Sequence, residues 1–212
     1  MNNILDILAS RLARLLFRRP RPWRGVVALA LAGVVAAVAL AAAGRGGGAS
    51  DSMAQDGGGP FQLRGRVVHV ADGDTFTLLV DGRREKIRMA SIDAPEVAKD
   101  SQRPGQPVAQ ASRKALGGLI AGKTLALDCY ERDHYQRSIC DVPLADGSTA
   151  NRRQVQRGMA WANMEKRGQF LRDARMPELE REARQSRLGI WGQGRPVPPW
   201  VWRYQCWKQA QC

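Results

Sequence analysis

Histidine is scarce in this chain of 212 residues, where His69 and His134 are the only two. No Cys-x-x-Cys or Cys/His spacing accompanies them, so the sequence offers no zinc site. No segment recurs at a fixed period, which removes solenoid and propeller architectures. Acids are also short, 20 against 33 Lys and Arg, leaving a formal charge of +13 and a pI near 10.6. A surplus of that size points to an anionic partner, either nucleic acid or a membrane surface. The plainer alternative is that it serves solubility alone. The surplus is divided: residues 1–50 hold seven arginines and one acid, and the remainder is basic in its own right.

Long apolar runs are confined to the N-terminus. Residues 25–44 are uncharged and rich in Ala, Val and Leu. As a helix, that run rises roughly 30 Å, enough to cross a bilayer core. Arg18, Arg19, Arg21 and Arg24 precede it and only Arg45 follows closely. The positive-inside rule therefore puts the N-terminus in the cytoplasm and the main domain outside. Residues 1–24 read as a basic amphipathic segment on the cytoplasmic face, with Ile4, Leu5, Leu8, Leu12, Leu15 and Leu16 at helical spacing. The competing reading is a cleaved signal peptide with Ala41-Ala42-Ala43 near the cleavage point. The expectation is a single-pass inner-membrane protein with a periplasmic or extracellular domain, or a secreted protein if the segment is cleaved. Residues 45–60 form a Gly-rich tether, residues 61–195 the folded domain, and residues 196–212 a Trp- and Cys-containing tail.

Four cysteines suit an oxidising exterior. Cys129 and Cys140 flank a hairpin tip, so Cys129–Cys140 with Cys206–Cys212 is the preferred pairing. The other pairings, and reduced thiols, stay open.

Strands are expected over residues 66–71, 75–80, 84–91, 124–130 and 138–142, with Asp81-Gly82 as a hairpin turn. A helix is expected over 108–120, ending near Gly122. Another begins from Ser148 or Thr149 and stops at Gly158. A last helix opens at Pro177 and is stopped by Gly189, with Leu179, Ala183, Leu188, Ile190 and Trp191 facing inward. Its alternating charges read as a solvated face. This order is α+β and compatible with a small closed barrel.

Three polar clusters interrupt the strands. Asp72-Gly73-Asp74-Thr75 is a turn that sets two carboxylates on one side of an extended segment, though Asp-Gly is also ordinary turn chemistry. Arg88 leads along a strand to Asp93-Ala94-Pro95-Glu96, where Pro95 keeps Ala94 non-helical. Asp133-His134-Tyr135-Gln136-Arg137 is a tight loop ending in a second arginine. A hard cation takes carboxylates, carbonyls and water. Guanidinium groups fork onto phosphate oxygens, and a nearby carboxylate can take a proton from water. Those are the parts of a one-metal phosphodiester hydrolase.

In this order and spacing the clusters resemble the staphylococcal nuclease (thermonuclease) family. The likeness runs from about Leu63 to Trp191 and includes the Asp146-Gly147 turn, Asn151, Gly158 and Leu188-Gly189-Ile190-Trp191. The resemblance implies an OB-fold five-stranded β-barrel with three helices and Ca²⁺-dependent cleavage of DNA and RNA to 3′-phosphate ends. It implies Asp74, Asp93 and the Ala94 carbonyl as Ca²⁺ ligands, Asp72 as an outer acid and Thr75 as a supporting hydroxyl. Glu96 becomes the base, Arg88 and Arg137 the phosphate-binding pair, and Asp133 and Tyr135 members of the substrate loop. The catalytic domain is expected to be monomeric.

There are departures from the family pattern. Gln136 stands where glycine is usual, Met164 and Lys166 replace pocket tyrosines, and Gln154 takes a usually apolar position, which should loosen packing there. Trp200, Trp202 and Trp207 in the tail are expected to cover the barrel rather than stack on bases. The alternative function is an OB-fold module that binds nucleic acid without cutting it. A membrane-anchored domain binding acidic proteins is a third. Neither needs Asp74, Asp93, Glu96, Arg88 and Arg137 together.

Overall fold

The computed structural model describes residues 59–212. The expected amphipathic segment, the membrane-spanning run and nearly all of the tether lie outside them. Among the described residues no helix is long and apolar enough to cross a membrane.

Five strands close into a barrel in the order β1-β2-β3-β6-β5. They are β1 (Phe61–Val70), β2 (Thr75–Val80), β3 (Arg83–Met89), β5 (Thr124–Arg132) and β6 (Ser138–Asp141). The closed five-stranded barrel with accompanying helices is the α+β OB-fold arrangement. β1 begins five residues before the expected start, because Phe61–Arg66 pairs with Thr124–Cys129 of β5. Gly65 permits the tight crossing with β2: a Cβ there would lie 2.3 Å from the Leu79 carbonyl oxygen. The β2–β3 turn takes positive φ at both Asp81 (47°) and Gly82 (78°), the primed-turn geometry that Asp-Gly favours. β3 and β6 run parallel, and β5 opposes β6 with Cys129 directly across from Cys140. That register brings the two thiols together, and both preferred disulfides, Cys129–Cys140 and Cys206–Cys212, are formed.

A two-stranded ribbon of β4 (Ile92–Asp93) and β7 (Trp161–Ala162) lies outside the barrel. At two residues each, these strands carry no readable period, and the sequence reading missed them. Helix α1 (Ala109–Ile120) starts one residue later than expected, since Val108 adopts φ 68°. In α2 (Ala150–Gln156) the Thr149 hydroxyl caps the first turn by accepting the Arg152 N–H. Helix α3 (Met176–Gln185) has Pro177 in its first turn. The single-turn α4 (Pro199–Trp202) widens into a π-helical turn over Arg203–Lys208.

Leu78, Ile87 and Met89 from the barrel, Leu116 and Ile120 from α1, and Val155 from α2 fill one buried core. Each such side chain contributes roughly 1.5–3 kcal/mol on burial. A second cluster joins Trp161, Ala183, Ile190 and Trp191, with Trp200 of the tail packed against it.

The region after α3 differs from expectation in three ways. Helix α3 ends at Gln185, and Gly189 instead opens a 3₁₀ turn whose backbone abuts Gly158. Leu188 is 42% exposed, because its carbonyl rather than its side chain meets Gly158. Glu180 is buried, not solvated: its carboxylate accepts the Ala162 N–H at 2.7 Å and pairs with Arg184. It thereby ties α3 to the ribbon that holds Asp93.

Candidate active site

Strand pairing merges the first two sequence clusters, since Thr75 of β2 lies opposite Arg88 of β3. The turn before β2 is fixed by its own acid. Asp72 Oδ1 accepts the N–H groups of Asp74 (3.0 Å) and Thr75 (2.7 Å). Gly73 presses so closely on α1 and the residue after β4 that a Cβ would fall 1.8 Å from Ser112 Oγ and 2.8 Å from Ala94 Cβ. Gln154, expected to loosen this region, is buried there with its Nε2 bonded and its Oε1 unpartnered among the described residues. Its buried Nε2 donates to the Gly73 carbonyl at 2.8 Å and to the Ser112 carbonyl at 3.2 Å, stitching turn, α1 and α2 together.

The turn points Asp74 inward. One carboxylate oxygen accepts from Thr75 Oγ1 and Arg88, and the other accepts the Ala94 N–H at 2.6 Å. Asp93 sits opposite Trp161 in the ribbon and receives Arg88 Nη2 at 2.7 Å. Arg88 thus bridges the two buried acids. Burial raises the pKa of Asp74 well above the ordinary carboxylate range, Arg88 opposes that shift, and Asp72 and Asp93 add to it. Burial acts on Asp93 in the same sense, but Arg88 and Arg203 outweigh it and hold the carboxyl below its usual value. Two guanidinium partners against one explain the opposite directions.

Glu96 is anchored through its backbone. Its N–H donates to Gln106 Oε1 at 3.0 Å and its carbonyl accepts the Gln106 N–H at 2.8 Å. Its carboxylate is not free, because Arg203 Nη1 donates to it at 2.7 Å. Burial raises the Glu96 pKa, with Arg203 pulling the other way.

Arg137 stands apart from the acids. Asp133 organises its loop by accepting the N–H groups of Tyr135 and Arg137, each at 2.9 Å, and by pairing with the Arg137 guanidinium. Gln136 adopts φ 60°, the left-handed conformation in which glycine is at ease, so the loop keeps its turn despite the substitution. Arg137 and the exposed Tyr135 nevertheless line the same open cavity, of about 620 Å³, as Asp72, Arg88, Glu96 and Arg203. Phe170 also lines it, with the Lys166 ammonium 5.7 Å from its ring centre.

Among the described residues no three acidic, imidazole or thiol side chains converge as a ready cage for a metal ion. The donor set still suits a hard cation. Asp72, Asp74, Asp93 and Glu96 outnumber Arg88 and Arg203, and all the donors are oxygen.

The chain matches the family model for staphylococcal nuclease homologues over residues 86–193. An uncharacterized endonuclease of Escherichia coli is 37% identical over 143 residues, covering 68% of this chain and 86% of that protein. This chain belongs to the staphylococcal nuclease family. A micrococcal nuclease of Shigella flexneri is 38% identical over 149 residues, 66% of this chain and 80% of the relative. A probable staphylococcal-like nuclease of Oryza sativa is 34% identical over 140 residues but only 33% of its own length. This staphylococcal nuclease homologue is accordingly a hydrolase of phosphodiester bonds, with nucleic acid as substrate.

Gln106, Phe170 and Arg203 at the nuclease site escaped the sequence reading. Gln106 lies in an unpatterned Pro-Gly-Gln-Pro stretch and gives no local signal. Arg203 lies in the tail, beyond the matched segment, 107 residues from the Glu96 it contacts. Trp200 packs on the second core rather than on the barrel, the Trp202 and Trp207 Nε1–H groups both donate to the Pro104 carbonyl, and Trp207 also lines the site's cavity.

Proposed function

We propose that this nuclease cleaves DNA and RNA with one Ca²⁺ ion, leaving 3′-phosphate ends, from the outer side of a membrane to which residues 25–44 tether it. The observation that carries the reading is that Asp74 and Asp93 lie buried on either side of Arg88, which with Glu96 lines the adjoining cavity. Asp74, Asp93 and the Ala94 carbonyl are the residues that would hold the ion. Asp72 adds negative charge behind them, and Thr75 orients Asp74 through its hydroxyl. When bound, Ca²⁺ supplies Lewis-acid polarisation of a phosphoryl oxygen.

Glu96 takes the proton from the attacking water, and its burial-raised pKa favours that task. Arg88 and Arg137 fork onto the phosphate and offset the charge that grows in the five-coordinate transition state. Asp133 keeps the Arg137 loop in shape, while Tyr135 and Phe170 present aromatic faces on the cavity wall for unstacked bases. The test is digestion of an end-labelled single-stranded oligonucleotide by the full chain in detergent, with the product ends identified by phosphatase treatment. Glu96→Gln should lower the rate about 10²–10⁴-fold with binding retained. Full activity in that variant would remove the base assignment, and binding without cleavage by the unmodified protein would favour a recognition module.

A further inference from the structure

The tail is attached to the loop that carries Glu96. Trp202 and Trp207 donate to the Pro104 carbonyl at 3.2 and 2.9 Å, and Gln106 Nε2 donates to the Val197 carbonyl at 2.7 Å. Gly105, between those two anchor points, leaves no room for a side chain, since a Cβ would lie 2.8 Å from the Ala98 nitrogen. The Cys206–Cys212 disulfide closes the end of the strap, with Cys206 buried. Arg203 projects from this strap into the acids. Its Nη2 donates to Asp93 Oδ2 at 2.9 Å and its Nη1 to Glu96 Oε1 at 2.7 Å, while Glu165 lies 3.8 Å away.

Asp74 and Asp93 are almost fully buried and do not line the cavity, whereas Arg88 and Arg203 do. The guanidinium groups stand between the acids and solvent. A cation approaching from the cavity meets Arg88, which is fixed in a barrel strand by two acids and the Ile92 carbonyl, and Arg203, which rides on a short helical turn. Of the two, Arg203 is the more exposed, at 30% against 15% for Arg88.

We propose that Arg203 is a built-in cation that closes the site when no divalent ion is present, and that the ion must displace it from Asp93 and Glu96. The C-terminal strap then acts as an autoinhibitory latch on the nuclease. This rests on the metal reading proposed above.

The test uses CaCl₂ alone, without nucleic acid, titrated by calorimetry and by tryptophan fluorescence into the detergent-solubilised full chain. Arg203→Gln should bind Ca²⁺ roughly tenfold more tightly than the unmodified protein, the scale expected for releasing a partly exposed charged hydrogen bond. Trp207→Phe keeps every charge but loses the N–H bond to Pro104, and it should tighten binding by a smaller factor. Calcium should change the tryptophan emission of the unmodified protein as the strap lifts.

Equal or weaker calcium affinity in Arg203→Gln would overturn the latch while leaving the metal reading intact. Unchanged affinity in Trp207→Phe would reduce the effect to charge repulsion and overturn displacement of the strap. Absence of calcium binding in all three proteins would overturn the metal reading, and the latch with it.

Discussion

Asn151 is the side chain whose loss should cost this fold most per atom removed. It is fully buried on α2, and its amide works in four directions. Nδ2 donates to the carbonyls of Ala90 (3.0 Å) and Cys140 (3.1 Å) and to Asp141 Oδ1 (3.0 Å), and Oδ1 accepts the Val142 N–H (3.0 Å). Asn151→Ala orphans the Val142 N–H and the Ala90 carbonyl, whereas the Cys140 carbonyl keeps the Ala90 N–H at 2.8 Å. One orphaned buried donor plus the lost bonds to carbonyl and carboxylate should cost about 3 kcal/mol.

For a domain of this size that corresponds to a Tm lower by roughly 6–12 °C. Urea unfolding followed by tryptophan fluorescence reads the change, with the m-value expected to stay constant. Asn151→Asp should be no better, because it sets a carboxylate against two carbonyls and Asp141. A loss below about 1 kcal/mol for Asn151→Ala would refute the claim that this amide pins α2 to the β3–β4 corner.

Gly158→Ala should destabilise by roughly 2–4 kcal/mol, since Gly158 has φ 63° and a Cβ would sit 2.2 Å from the Leu188 carbonyl oxygen; a melt within about 1 kcal/mol of the parent would contradict that. Gln136→Gly should stabilise by about 0.5–1 kcal/mol by relieving a left-handed backbone while leaving the Asp133–Arg137 pair in place, and a lower Tm would count against it. Tyr130 should titrate at about 12, raised first by burial and then by its 2.7 Å hydrogen bond to Asp141. A raised folded-state pKa gives stability that is complete below the unfolded value near 10 and lost as pH climbs through about 12. Near-ultraviolet titration of the unmodified protein and of Tyr130→Phe isolates that step, and a midpoint near 10 would contradict the assignment.

Much of the fold was legible because its signals are local. Asp81-Gly82 encodes a hairpin turn, Thr149 encodes a cap, and Cys129 and Cys140 flank a tip that places them across from one another. The three polar clusters were legible as a set, since each sits at the end of a strand whose pairing brings Thr75 opposite Arg88. What was not legible depends on contacts far along the chain. Glu180 looked like part of a charged, solvated face until the Ala162 N–H gave it a buried partner. Gln154 looked like a packing fault because the carbonyls of Gly73 and Ser112 that it serves lie 81 and 42 residues away. Arg203 looked like one basic residue among many, and only the docking of the tail on Pro104 and Gln106 brings it to Glu96.

If Asp74 and Asp93, buried behind the cavity wall, act through a bound calcium ion as proposed, phosphodiester cleavage must follow that ion. Single-turnover hydrolysis of single-stranded DNA by the full chain, with saturating Ca²⁺ and then with excess chelator, tests it most directly when Asp93→Asn is run beside the parent protein. The account predicts cleavage by the parent with calcium, its loss on chelation and recovery on readdition, and little cleavage by Asp93→Asn under any condition. Cleavage that persists undiminished in chelator, or in Asp93→Asn, would contradict it.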